Sequence, residues 1–233
     1  MYTYNTLTVT GYEGKPVPNT FIRQRGATSH AAIILPGLGY TAQMPLLFYT
    51  GNHLIAQNAD VLQVNYNYLT AFRGIDRAAQ HRWLFADAEA AYRALLQQRA
   101  YDRVTVVGKS LGTLAMAHFI TTQTFPTQVD ALWLTPVLTS PDVRAQIATF
   151  DGPSLLVIGT ADQFYDADVL TSIGETPSDE TPSDETSSRT FAIIDGADHG
   201  INITRDGNID VIQSIHALET AIRAIVAFLD TEK

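Results

Sequence analysis

Apolar residues follow two rhythms along this chain. Short, largely apolar runs rich in Val, Ile and Leu occur at 31–35, 61–64, 104–107, 131–134, 155–158 and 191–194. Runs of four or five such residues, closed by turn formers such as Pro36-Gly37, read as strands buried on both faces. In the intervening stretches the apolar positions recur every three or four residues, the spacing of an amphipathic helix. One such stretch covers 76–99, with Trp83, Leu84, Ala88, Ala91, Tyr92, Leu95 and Leu96 near one face, and another covers 111–120. The clearest is the last, where Val211, Ile212, Ile215, Leu218, Ile222, Ile225, Val226 and Leu229 form one stripe. At the N-terminal end, 6–10 and 20–24 predict two strands around a Gly/Pro-rich turn at 11–18.

Apolar strands alternating with amphipathic helices predict an α/β fold with a mostly parallel central sheet and helices on both faces. The first two strands, joined by a turn instead of a helix, predict an antiparallel N-terminal edge. A single domain over 1–233 is expected from the length. One segment stands apart: 175–188 repeats Glu-Thr-Pro-Ser-Asp and offers almost nothing to bury. Its composition predicts a mobile acidic surface loop.

Composition narrows the function. The net charge of −9 argues against nucleic acid or an anionic membrane as a partner, although five of the negative charges fall within 175–185. The absence of Cys excludes disulfides, thiolate metal sites and a Cys nucleophile. Neither a metal-ligand cluster nor a dinucleotide fingerprint is present, so no cofactor is expected. Residues 1–6 lack the features of a signal peptide and no uninterrupted apolar run approaches ~18 residues, so the expected location is cytoplasmic. A small-molecule substrate is the expected partner, and the oligomeric state stays open.

The residues with the strongest chemical signal are Gly108-Lys109-Ser110-Leu111-Gly112, the pattern G-x-S-x-G. A β-branched run enters it and a helical pattern leaves it. A strand-to-helix turn this tight strains the serine backbone and presents its Oγ at the carboxyl end of the sheet, beside helix amides that favour negative charge. Glycines at the flanking positions avoid clashes. Ser110 as a plain N-cap is the competing reading. A phosphate-binding loop is excluded, because it needs a glycine at position 103, where Arg103 stands.

With this elbow in its setting, the chain resembles the α/β-hydrolase superfamily over residues 20–230. The resemblance implies a serine hydrolase with a triad in the order Ser, acid, His. Of the six histidines, His199 lies in a Gly-x-x-His loop after the last strand, similar to the one carrying the family's base; the others fall in helices or before a strand. Gly159-Thr160-Ala161-Asp162 resembles the family's acid loop and points to Asp162, with Asp166 as the substitute. Asp198, next to His199, is expected to shape its loop. The segment 35–40 resembles the family's oxyanion loop, with Pro36 where His is common, and implies backbone donors at Leu38 and Leu111.

About twenty residues separate the strands at 131–134 and 155–158, enough for one short helix at 142–149 and too few for a large cap. An open cleft suits a small or exposed carboxylic ester or thioester. Leu38, Tyr40, Met44, Leu138 and Phe164 are candidate pocket walls, and Lys109 either attracts an anionic substrate or covers the surface of the elbow. Amide or peptide cleavage on the same triad, and a non-catalytic binding module on the same fold, are the alternatives.

Overall fold

A computed structural model of the chain describes residues 1–66, 68–125, 128–174 and 189–231. In chain order the elements are β1 Tyr2–Asn5, β2 Asn19–Gln24, β3 His30–Leu35, α1 Pro45–Ala56, β4 Asp60–Val64, α2 Tyr68–Ala71, α3 Arg77–Leu96, β5 Arg103–Lys109 and α4 Leu111–Thr122. They continue with β6 Gln128–Leu134, α5 Pro141–Thr149, β7 Ser154–Gly159, α6 Ala167–Gly174, β8 Arg189–Ile194, a small hairpin of β9 Ile203–Arg205 and β10 Asn208–Asp210, and α7 Val211–Thr231. The main sheet has eight strands in the order β1-β2-β4-β3-β5-β6-β7-β8. The β1–β2 and β2–β4 pairings at one edge are antiparallel, and every pairing from β4–β3 to β7–β8 is parallel.

Successive strand residues feed two cores, as the period-2 alternation of a pleated sheet requires. Ile33, Val106 and Leu156 pack on one face with Leu84 and Tyr92 of α3, Met116 and Phe119 of α4 and Val143 of α5. Their neighbours Ile34, Val107 and Val157 pack on the other face with Leu46 and Leu54 of α1 and Ala221 and Ile225 of α7. α3 begins where the Asp76 carboxylate accepts a hydrogen bond from Ala79 N at 2.9 Å, capping its first turn.

The pattern misplaces the first strand. The edge strand is β1, and the expected strand at 6–10 is instead a connection. Polar side-chain bonds outcompete a ladder there: Asn19 holds Leu7 through both its backbone groups at 2.9 Å, while Val9 and Val17 are buried side by side. The β9–β10 hairpin, only three residues per strand, carries no pattern long enough to read. The acidic repeat at 175–188 lies outside the described residues.

Among the described residues one helix, α7, is long and apolar enough to cross a membrane by length and composition. The sequence reading missed this because polar residues interrupt its apolar run. Here its Ala217, Ala221, Ile225 and Leu229 are buried against the sheet, while Val211, Ile212 and Ile215 are exposed.

Candidate active site

Four loops at the carboxyl ends of β3, β5, β7 and β8 converge on one cleft. β5 runs into α4 with no intervening residue except Ser110, which takes φ 52°, ψ −117°. Positive φ in a non-glycine residue costs of order 1–3 kcal/mol and persists only where its surroundings impose it. The imposition is visible here. Ser110 N donates to Leu134 O of β6 at 3.0 Å, and the Ser110 carbonyl accepts from Thr113 N and Thr113 Oγ1 at 2.8 and 2.6 Å. A Cβ on Gly112 would lie 2.0 Å from Leu35 O, and one on Gly37 would lie 3.1 Å from Ser110 Cβ. Both glycines therefore let the loop after β3 lie against the elbow.

The loops after β7 and β8 are pinned to each other. Thr160 N and Ala161 N donate to Ile194 O and Ala197 O at 3.0 Å each. A Cβ on Gly159 would lie 2.0 Å from Ala197 O, so that close approach needs glycine. These contacts put His199 between Asp162 and Ser110. His199 Nε2 is 2.7 Å from Ser110 Oγ, and Nδ1 is 2.8 Å from Asp162 Oδ2. With the proton on Nδ1, the ring donates to the carboxylate and accepts from the serine hydroxyl. The Asp162 carboxylate is fully buried and its other oxygen accepts from Phe164 N at 2.9 Å. The Phe164 ring meets the imidazole edge-on at 5.2 Å.

Asp166, the substitute acid, instead accepts from Asp168 N and Val169 N at 3.0 and 3.1 Å and so starts α6. Asp198 accepts from Gly200 N and Asn202 N at 2.7 and 2.8 Å, which folds the loop carrying the histidine.

The cleft, of about 550 Å³, is lined by Leu38, Tyr40, Ser110, Leu111, Phe164 and His199 together with several residues the sequence did not point to. These are Arg77, Gln80 and His81 at the start of α3, Leu114, Val137 and Gln163. Helical periodicity assigns α3 residues to a face but carries no signal for which loop cluster its first turn reaches. Two expected walls are elsewhere. Leu138 is buried in the core, its place taken by the adjacent Val137, and Met44 is an exposed residue preceding α1. Lys109 is also corrected: it does not cover the surface but is 1% exposed. Its register decides this, since Lys109 is the last residue of β5 and pairs with Leu134 inside the sheet. Among the described residues, no group of three or more His, Cys, Asp or Glu side chains could hold a metal ion.

The Leu38 N–H makes no hydrogen bond among the described residues. Leu111 N–H is the first amide of α4, a position that a helix leaves without an intrahelical acceptor. Both residues border the cleft beside Ser110.

The chain matches no family model and no curated protein. Solved structures do match it along nearly its whole length. An Agrobacterium tumefaciens protein of unknown function described as a putative α/β hydrolase is 14% identical, with 99% of this chain and 96% of that one covered at a TM-score of 0.70. A Xanthomonas campestris α/β serine hydrolase without a lid is 16% identical, with 94% of each chain covered at a TM-score of 0.63. A Pyrococcus furiosus esterase is 13% identical, with 99% and 93% covered at a TM-score of 0.68. The chain has the α/β-hydrolase fold, with an antiparallel N-terminal edge on an otherwise parallel sheet.

Proposed function

We propose that this protein is a serine hydrolase that cleaves a small or exposed carboxylic ester or thioester through an acyl-enzyme. The observation that carries the reading is the continuous relay from Asp162 through His199 to Ser110 Oγ, both contacts under 3 Å, on a strained elbow open to a cleft. A serine hydroxyl is a weak nucleophile until an adjacent base takes its proton. Ser110 Oγ attacks the carbonyl carbon as His199 Nε2 accepts that proton. The resulting oxyanion lies against the amides of Leu38 and Leu111, and donors of this kind contribute roughly 10²–10³ in kcat each. The imidazolium then protonates the departing alcohol or thiol. In the second half water attacks the acyl-serine, His199 takes its proton, and the acid leaves as the proton returns to Ser110. Asp162 orients the ring and stabilises its charged form. Between β6 and β7 the chain builds only α5, too little for a large cap over the cleft.

The test is labelling with a fluorophosphonate probe followed by turnover of p-nitrophenyl esters of increasing chain length. Ser110→Ala should take no label, and Ser110→Ala and His199→Ala should each lower kcat by roughly 10⁴–10⁶, with the double variant little worse than either. Asp162→Asn should stay folded and lose on the order of 10⁴. Ester turnover that survives in Ser110→Ala at the wild-type rate would sink the proposal.

A further inference from the structure

Lys109 is a buried charged side chain bordering the cleft that the reaction above does not use. Its Nζ donates to Thr135 Oγ1 at 2.9 Å and to the backbone carbonyl of His199 at 3.0 Å, and lies 4.4 Å from the centre of the Tyr40 ring. Three chain segments thus meet on one ammonium: the loop after β3 through Tyr40, the end of β6 through Thr135 and the loop after β8 through His199. Thr135 itself takes φ 42°, a left-handed conformation that aims its hydroxyl inward at a backbone cost. A buried ammonium is expensive unless it is paired and hydrogen-bonded. Asp162 and Asp198 are the carboxylates that favour its charge. Lys109 in turn is the buried cation offsetting the fully buried Asp162 carboxylate.

We infer that Lys109 is a positioning residue: its ammonium ties the backbone of His199 to the residue preceding Ser110, and so sets the imidazole at reacting distance from the serine. The inference rests on the hydrolase reading and extends it. Ser110 and Lys109 are adjacent, so a bond from Lys109 to His199 O closes a short ring around the Oγ–Nε2 contact. The histidine loop is also held by the loop after β7, by its own Asp198 turn, by Ile203 N donating to Ser214 Oγ of α7 and by the burial of Ala197 and Ile201. None of these contacts reaches Lys109 or Ser110. Misplacement of reacting groups by about 1 Å costs on the order of 10²-fold. The groups facing the ammonium are Tyr40, Thr135, Asp162, Asp198 and His199. Burial pulls the Lys109 ammonium down to about 8, against the pull of the two carboxylates. The neutral amine is a poorer donor to a carbonyl, since charge-assisted bonds are roughly twice as strong.

The experiment compares wild-type, Lys109→Met and Thr135→Val protein in the ester assay and in fluorophosphonate labelling, with circular dichroism as the check on folding. Lys109→Met keeps an unbranched side chain as far as Cε and removes the ammonium, and should lower kcat and the labelling rate at least tenfold with KM within twofold. It should also broaden or remove the deshielded ring-proton resonance of the His199–Asp162 bond. Thr135→Val leaves the lysine in place with one acceptor fewer, and should lower kcat in the same direction by a smaller factor. In wild-type protein kcat should decline as pH rises through about 8, a decline absent from Lys109→Met. Wild-type kcat in folded Lys109→Met would overturn the inference. A raised KM at unchanged kcat would also overturn it, and would make Lys109 an attractor of anionic substrate. Where Lys109→Met does not fold, an unchanged kcat in Thr135→Val decides against it. Wild-type protein that takes no label would instead remove the hydrolase reading and this inference with it.

Discussion

His30, the first residue of β3, shows at single-residue scale how burial turns an ordinary side chain into a pH sensor of stability. Its Nε2 is 2.8 Å from Thr105 Oγ1, and the Thr105 hydroxyl donates to Asp130 Oδ2 at 3.1 Å. The threonine oxygen therefore accepts, and the neutral imidazole with its proton on Nε2 fits the chain of bonds. Burial, helped by the nearby Arg103 guanidinium, lowers His30 to about 4 from the usual value near 6.5. The folded protein thus resists a proton that the unfolded chain takes up. That stability is fully present above pH ~6.5 and is lost as pH falls through the folded value near 4. The melting temperature should fall between pH 7 and 4.5, and His30→Gln, which keeps a donor without the titration, should show a shallower fall. Parallel curves for the two proteins would show that His30 contributes nothing to the pH dependence. The other residue-scale lesson is Lys109. In the sequence it is one more lysine in a loop motif, and only its register at the end of β5 shows that it points inward.

At the scale of elements, the strand–elbow–helix unit depends on the absence of a side chain at Gly112. Inside a helix, alanine is favoured over glycine by about 1 kcal/mol, so propensity alone predicts that Gly112→Ala stabilises the protein. The contact with Leu35 O predicts the opposite, because backbone must move to admit the methyl group. Overpacking of this kind typically costs 1–3 kcal/mol. Gly112→Ala should lower the melting temperature and, on the proposed function, slow fluorophosphonate labelling, since α4 and the loop after β3 separate at Ser110. A variant as stable and as reactive as wild-type would show that the two segments do not need this contact. The same comparison explains where local reading failed. Strands long enough to fill a buried row, such as β5 and β7, announce themselves, whereas β1 reads as polar because its residues are mostly solvent-exposed at the sheet edge.

For the whole molecule, the role of α7 is a question of what covers its apolar stripe. Ile225 is completely buried against the sheet, while Ile212 near the start of the helix is 59% exposed. If α7 is a layer of this fold, Ile225→Ala should cost 2–5 kcal/mol in chemical denaturation and Ile212→Ala less than about 0.5 kcal/mol. Equal small effects at both positions would mean that α7 does not dock on the sheet in solution.

The alternation of apolar runs and amphipathic stretches determined by itself the layered α/β architecture, because burial on two faces demands apolar strands and burial on one face demands a periodic helix. The motif around Ser110 was equally legible, since Gly-x-Ser-x-Gly between a strand and a helix is a local pattern, although the contact that requires glycine at Gly112, with Leu35 O, is tertiary. His199 and Asp162 were placed in their loops through resemblance, but their distances to each other and to Ser110 belong to the tertiary structure, which closes 89 and 37 residues of chain into contacts below 3 Å. The same holds for Arg77, Gln80 and His81 at the cleft, for Leu138 in the core, and for Lys109 beneath the histidine loop. Periodicity records which face of an element is buried. Which distant segment lies against that face, and hence whether a buried lysine is a burden or a tie, depends on the crossing of loops at the sheet's carboxyl edge, where no repeating pattern survives.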